Sequence, residues 1–237
     1  MLRQALAALT AAEEDDAAGR VDLRGPAQRE RDRRTAKARA RGGTGPTVNL
    51  TDPESRLMTE GAGGGSVQGY NAQVAVTDDH FILGVHLSQD ANDTHCFAPT
   101  LEAATTQALA LGKQIGTVLA DAGYFTEHNL TAPGPDRLIA PGKNRDVHAE
   151  ARQHRAQAPP NSDASAVDQM RHRLRDPANA ALYKRRGATV EPVIAHLKEQ
   201  TKLRRFARRG LQAATAELQL AAAAINLNRL HQARFTG

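Results

Sequence analysis

At 237 residues the chain is long enough for one large domain or a domain with an appendage. Its net charge of +5 and pI of about 9.7 favour polyanionic partners. A single cysteine, Cys96, excludes an internal disulfide and suits a reducing cytoplasm, and no apolar run reaches the ~18 residues of a membrane span. Leu2, Leu6 and Leu9 are followed at once by Glu13 to Asp16, which is not the pattern of a signal peptide. Aromatic residues are only 3% of the chain, so alanine, leucine and valine must build a thin core.

Residues 1–46 join an acidic patch (Glu13, Glu14, Asp15, Asp16) to a basic run from Arg24 to Arg41, closed by Gly-Gly-Thr-Gly-Pro at 42–46. They lack a sustained apolar face and read as a charged arm, partly helical or disordered; transient contact with DNA phosphates is the other reading. Between Val67 and Val76, Tyr70, Ala72, Val74 and Val76 alternate with Asn71, Gln73 and Ala75, the period of a strand. Thr77–His80 is a turn and Phe81–Leu87 a second strand, which together predict an antiparallel hairpin. Asn92, Asp93 and Thr94 offer caps for a helix from about His95 to Leu111, stopped by Gly112, with Asp93 expected to act as a cap. Thr117–Ala120 is a short buried strand ending at Asp121, and Arg137–Ala140 is another, closed by Pro141-Gly142. Residues 143–177 are polar and predict an exposed excursion. Helix returns from about Ala178, and 211–232 form a closing helix in which Leu211, Leu218 and Ile225 recur every seven residues, as do Leu220 and Leu227. The order of elements signals an α/β fold.

Two carboxylates carry the chemistry. Asp121 ends the apolar run Gly116-Thr-Val-Leu-Ala-Asp121, at the C-terminal end of a strand, where open α/β sheets place their sites. The small residues Ala122 and Gly123 follow it, although an aspartate here can also do no more than cap a turn. Glu191 shares a helix stripe with Lys184 and Lys198, which suits either a salt-bridge ladder or a functional acid. Pro192 beside it lacks a donor and would kink a continuous helix or start a new one. Residues 183–210 hold Lys184, Arg185, Arg186, Lys198, Lys202, Arg204, Arg205, Arg208 and Arg209 against Glu191 and Glu199; nine minus two is +7, more than the whole chain's +5. Such a run is either a solvated face or a grip on backbone phosphates. Carboxylate oxygens suit Mg²⁺ or Mn²⁺, and a metal pair ~4 Å apart can activate water and stabilise the leaving oxygen in phosphodiester cleavage. The histidines are scattered, Gly61–Ser66 lacks the Lys-Ser/Thr of a phosphate loop, and no serine nucleophile elbow is present.

Four motifs, Asn49-Leu-Thr-Asp-Pro-Glu-Ser-Arg-Leu-Met58, Val67-Gln-Gly-Tyr-Asn-Ala-Gln-Val-Ala-Val76, Leu119-Ala-Asp-Ala-Gly-Tyr-Phe125 and Ala188-Thr-Val-Glu-Pro-Val193, occur in an order that resembles bacterial insertion-sequence transposases of the DDE class. The resemblance covers roughly residues 47–232. It implies a ribonuclease-H-like mixed sheet with flanking helices, metal-dependent cleavage and strand transfer of DNA, and Mg²⁺ or Mn²⁺ as cofactor. By the same resemblance Asp121 is the second catalytic acid and metal ligand and Glu191 the third, and the family's Tyr-Arg-Glu-Lys signature falls on Tyr183, Arg186, Glu191 and Lys198, with Arg185 as the alternative to Arg186. The resemblance implies that Arg186 and Lys198 grip DNA near the cut; the expected DNA-binding set is Tyr183, Arg185, Arg186 and Lys198 together with Lys202, Arg204, Arg205, Arg208 and Arg209 of the basic run. The family's first acid ends a strand that precedes the Tyr70 hairpin, and no such strand is found ahead of residue 47. The chain therefore reads as a truncated catalytic domain (47–237) behind a charged arm (1–46), lacking its first, central strand. It is expected to be catalytically impaired, marginally folded and located in the cytoplasm with the nucleoid. Expected partners are DNA and a second transposase chain, by self-association or by pairing with full-length transposase. The alternative function is a non-enzymatic DNA-binding protein, or an inhibitor that binds transposase.

Overall fold

The computed structural model describes residues 48–59, 65–142, 160 and 163–236. The arm expected over 1–46 lies outside them, as do residues 143–159 of the expected excursion. The chain divides into two compact units, Met1–Gly69 and Tyr70–Gly237.

In the first unit, strand β1 (Arg56–Thr59) pairs antiparallel with β2 (Ser66–Gly69), with Arg56 opposite Gly69 and Thr59 opposite Ser66. A turn precedes β1. The Asn49 side chain accepts from Thr51 N–H at 2.9 Å, and the buried Ser55 hydroxyl donates to the Asp52 carbonyl at 2.8 Å. The single strand expected over 67–76 is thus two strands, broken at Tyr70.

The second unit opens with the expected hairpin. Strands β3 (Asn71–Val76) and β4 (Ile82–Ser88) pair antiparallel, with Val74 opposite Val85. The intervening turn closes by Thr77 N–H to Phe81 O (2.9 Å), with His80 at a positive φ of 68°. A bulge shifts the register so that Val76 faces Ile82 while Ala75 faces Gly84. That extra residue returns Ile82 to the face that carries Val85 and Leu87. Helix α1 (Phe97–Ala110) follows a 3₁₀ turn, Asp93–Cys96, and ends at Gly112, whose φ of +66° an L side chain resists. Gly84 seats α1 on the hairpin: a Cβ there would lie 2.7 Å from the Ala104 backbone nitrogen.

Strands β5 (Thr117–Ala120) and β6 (Asp136–Ile139) are parallel, joined through a 3₁₀ turn (Ala122–Tyr124) and helix α2 (Glu127–Thr131). Helix α3 (Ala166–Arg175) buries Met170 and Leu174 against Leu138, Ala140 and Tyr183. The end of the segment expected to be an exposed excursion is therefore core, because its two large apolar side chains are spaced four residues apart, on one helix face. Helix α4 (Pro177–Glu199) is capped by Asp176, which accepts from Ala178 and Asn179 N–H, and it runs unbroken through Pro192. Helix α5 (Leu211–Thr236) packs Ala214 and Leu218 against Leu87, and Ala222 and Ile225 against Ile82. Asn226 fastens it to β4, accepting from Ile82 N–H and donating to Ile82 O, both at 2.9 Å.

Among the described residues β3 pairs only with β4, and β5 only with β6. A cleft of about 1130 Å³ has both β3 and β5 in its walls, with α1 and α4 beside them. The architecture is mixed α/β with small sheets and five helices among the described residues, and it is compatible with a ribonuclease-H-like domain.

Candidate active site

Asp121 stands where β5 ends. Its side chain accepts from Ala122 N–H at 2.6 Å, capping the 3₁₀ turn, and its second oxygen lies 3.5 Å from Arg186 Nη1. The carboxylate is 61% exposed while Arg186 is 20% exposed, so a largely buried cation underlies an open acid. The helix that brings Arg186 here is pinned one turn earlier. Tyr183, fully buried, donates its hydroxyl to the carbonyl of Ala120 at 3.1 Å, and the Arg186 guanidinium lies 5.9 Å from the Tyr183 ring centre. Burial pushes the Tyr183 phenol above its ordinary pKa and keeps it a donor. Arg185, the alternative to Arg186, points elsewhere, 3.9 Å from Asp78.

Glu191 lies on the same helix, five residues beyond Arg186. That places it about 7.5 Å further along the axis and about 140° around it. It is exposed and makes no ion pair or hydrogen bond among the described residues. Its carboxylate lies over Gly187, where a Cβ would come within 3.1 Å of Oε1. Glycine inside a helix costs roughly 1 kcal/mol relative to alanine, and here it makes room for the acid. The place of Gly187, four residues before Glu191 on the same helix face, is the sequence signal for this contact. Lys198 lines the cleft together with Asp121, Arg185 and Arg186, whereas Lys184 is exposed.

A polar clasp beside Asp121 joins residues that no sequence motif connects. Asp93 does not cap the turn it begins; Asn92 does, accepting from Thr94 N–H. The Asp93 carboxylate instead accepts from Asn71 Nδ2 (2.7 Å) and Gln73 Nε2 (2.9 Å), both on β3. Gln73 Oε1 in turn accepts from the Tyr124 hydroxyl. Burial first, then the charges of Asp93, Cys96 and Asp121, drive the Tyr124 phenol well above its ordinary pKa, so it stays protonated. Gly123 fits against Asp93, with room for no Cβ closer than 3.1 Å to Oδ2. The buried Asn129 completes the clasp, donating to Thr94 O at 2.8 Å and Tyr124 O at 3.0 Å. Side chains therefore tie β3 to the turn after Asp121, where no backbone ladder does.

The remaining predicted cations lie on the loop between α4 and α5. Lys202, Arg204, Arg205, Arg208 and Arg209 are all exposed, and only Arg204 has an ion-pair partner among the described residues, Glu199.

Among the described residues no three His, Cys, Asp or Glu side chains gather where they could hold a metal ion. Mg²⁺ is commonly held by one or two carboxylates, with water and substrate phosphates completing its shell. The open Asp121 carboxylate fits that mode of binding, and exposed Glu191 offers the same hard oxygen donors. No described helix is long and apolar enough to cross a membrane. The family model described as Transposase DDE domain matches residues 32–227, and no curated protein or solved structure matches the chain. The matched span is most of the sequence and contains both acids, the clasp and the basic loop; the chain belongs to the DDE-class transposase domain family.

Proposed function

We propose that Asp121 and Glu191 are the acids of a centre that cleaves DNA phosphodiesters and transfers strands, and that Mg²⁺ or Mn²⁺ is the cofactor they hold. The observation that carries this reading is the open carboxylate of Asp121 at the end of β5, 3.5 Å from Arg186 on the helix that also bears Glu191 and Lys198. Bound metal would supply activation of water and charge stabilisation at the leaving oxygen. Arg186 steadies Asp121 before substrate arrives and offers its guanidinium to a phosphate oxygen. Lys198 and the basic loop hold the backbone on either side.

The test is strand cleavage, with Mg²⁺ or Mn²⁺, of DNA carrying the element's ends. Asp121→Asn and Glu191→Gln should each abolish cleavage while DNA binding persists. Undiminished cleavage in either variant would remove that residue from the centre. The exposed cations Lys202, Arg205, Arg208 and Arg209 suit a second reading equally, a DNA-binding protein that pairs with full-length transposase and inhibits it. Salt-sensitive DNA binding without cleavage, with a fall in activity when the chain is mixed with an active transposase, would select that reading.

A further inference from the structure

We infer that the loop from Lys202 to Arg209 is a preformed seat for DNA backbone phosphates, and that Glu217 is the positioning residue that sets its shape. This rests on the reading of DNA as the partner, and it goes beyond that reading by assigning the contact to a rigid loop and its control to an acid.

The loop is fastened at three points. At its start, Leu203 N–H donates to Leu197 O at 3.0 Å, and Lys202 is held at a φ of 60°. A non-glycine residue rarely adopts that conformation, and such strain persists only where the surroundings impose it. In the middle, Phe206 packs edge-on against Tyr70, ring centres 6.0 Å apart, within the cluster around Leu87 and Leu218. At the end, Glu217 reaches back from α5. One of its oxygens accepts from Ala207 N–H at 3.0 Å, and the other accepts from Ala207 N–H at 3.0 Å and Arg208 N–H at 3.1 Å. Consecutive amides turned to one carboxylate fix the backbone of the segment that carries Arg205, Arg208 and Arg209. A flexible loop would lose conformational entropy on every contact with DNA, and this loop has lost it already. Lys202, Arg205, Arg208 and Arg209 have no ion-pair partner among the described residues, so their charge is available to a polyanion.

Two physical pictures predict opposite signs for one substitution. Glu217 is an acid among five cations. If charge alone governs binding, removing it tightens the complex. If Glu217 sets the loop, removing it weakens binding although the net charge rises.

The experiment is fluorescence anisotropy of the full chain with a labelled DNA duplex across a salt series. Glu217→Ala should bind more weakly than the parent, and its log–log salt slope should shrink by about 0.9 for each phosphate that the loop no longer neutralises. Glu217→Gln, which keeps one carbonyl acceptor, should fall between them. Amide exchange should quicken at Ala207 and Arg208 and stay slow at Ala214 and Leu218 in the folded core. Affinity equal to or tighter than the parent's in Glu217→Ala overturns the inference. If that variant does not fold, Glu217→Gln decides by the same criterion. The underlying reading is tested separately: reversal of Arg204, Arg205, Arg208 and Arg209 to Glu should abolish most binding, and parental affinity in that variant would show that the loop is only a solvated face.

Discussion

At the scale of single residues, the site depends on groups whose neighbours leave them few alternatives. The Asp93 carboxylate receives donors from Asn71 and Gln73 at 2.7 and 2.9 Å. Asp93→Ala removes the charged acceptor from two half-buried amides and frees the turn after Asp121; Gln73 Nε2 keeps the Asn71 Oδ1 acceptor at 2.7 Å, but Asn71 Nδ2 is left with only the Cys96 sulfur at 4.0 Å, and one such poorly satisfied donor costs about 1–3 kcal/mol. Urea unfolding should register a loss in that range, and a loss below about 0.5 kcal/mol would show that the amides find water instead. Gly187 makes the reverse case. Gly187→Ala should raise stability by up to about 1 kcal/mol, because alanine is the better helix former. It should also displace Glu191, whose Oε1 would otherwise lie 3.1 Å from the new methyl group. A more stable chain with weakened Mn²⁺ affinity, read by electron paramagnetic resonance, is the expected outcome; unaltered affinity would separate Glu191 from the metal. Asp121, Tyr183, Arg186 and Glu191 were visible as candidates in their motifs. Gly187 and the clasp were not, since a helical glycine and a strand glutamine have meaning only beside the groups they touch.

At the scale of elements, α3 is joined to β6 by a forked ion pair. Arg173 Nη1 and Nη2 donate to the two oxygens of Asp136, each at 2.8 Å. These hydrogen bonds hold the Asp136 carboxyl below the usual aspartate pKa. A carboxylate depressed in the folded state stabilises above its unfolded pKa of about 3.9, and the contribution is lost as pH falls through the folded value. Stability measured by urea midpoint should therefore drop more steeply below about pH 4 in the parent than in Asp136→Asn. Half of the Asp136 side chain is exposed, so solvent screening keeps the difference small. Identical acid profiles would mean that water has replaced the pair. Strand β6 was legible because its apolar run is local, whereas helix α3 falls in a stretch that reads from sequence as an exposed excursion. The partner of α3 was not: Met170 and Leu174 sit in a polar stretch, and only packing against Leu138 and Tyr183 gives them a core.

At the scale of the whole molecule, the described strands form three sheets of two strands each. Among the described residues β3 and β5 each pair along one edge only; an unpaired edge recruits other strands, and a core poor in aromatic residues offsets little of that cost. The chain should melt broadly below about 60 °C, inside the mesophile range, and scatter light on standing. A sharp, reversible transition above that temperature would show that the paired strands and helices suffice alone.

The sequence by itself determined the β3–β4 hairpin, strands β5 and β6, helices α1, α4 and α5, the acid at the end of β5 and the concentration of positive charge after Tyr183, because period, capping and composition act over a few residues. Tertiary structure decided which faces those elements bury. Leu218 and Ile225 repeat every seven residues along α5, and so do Leu220 and Leu227; the first pair is buried, at 2% and 1% exposure, and the second is open, at 72% and 66%. Spacing is the same for both stripes, so only the sheet could choose between them. The bulge opposite Ala75 and Val76 did the same for β4, turning Ile82 toward α5 against strict alternation. The links from Asp93 to β3 and from Glu217 to the basic loop belong to that second kind of information: each is a carboxylate that satisfies donors brought to it by the fold.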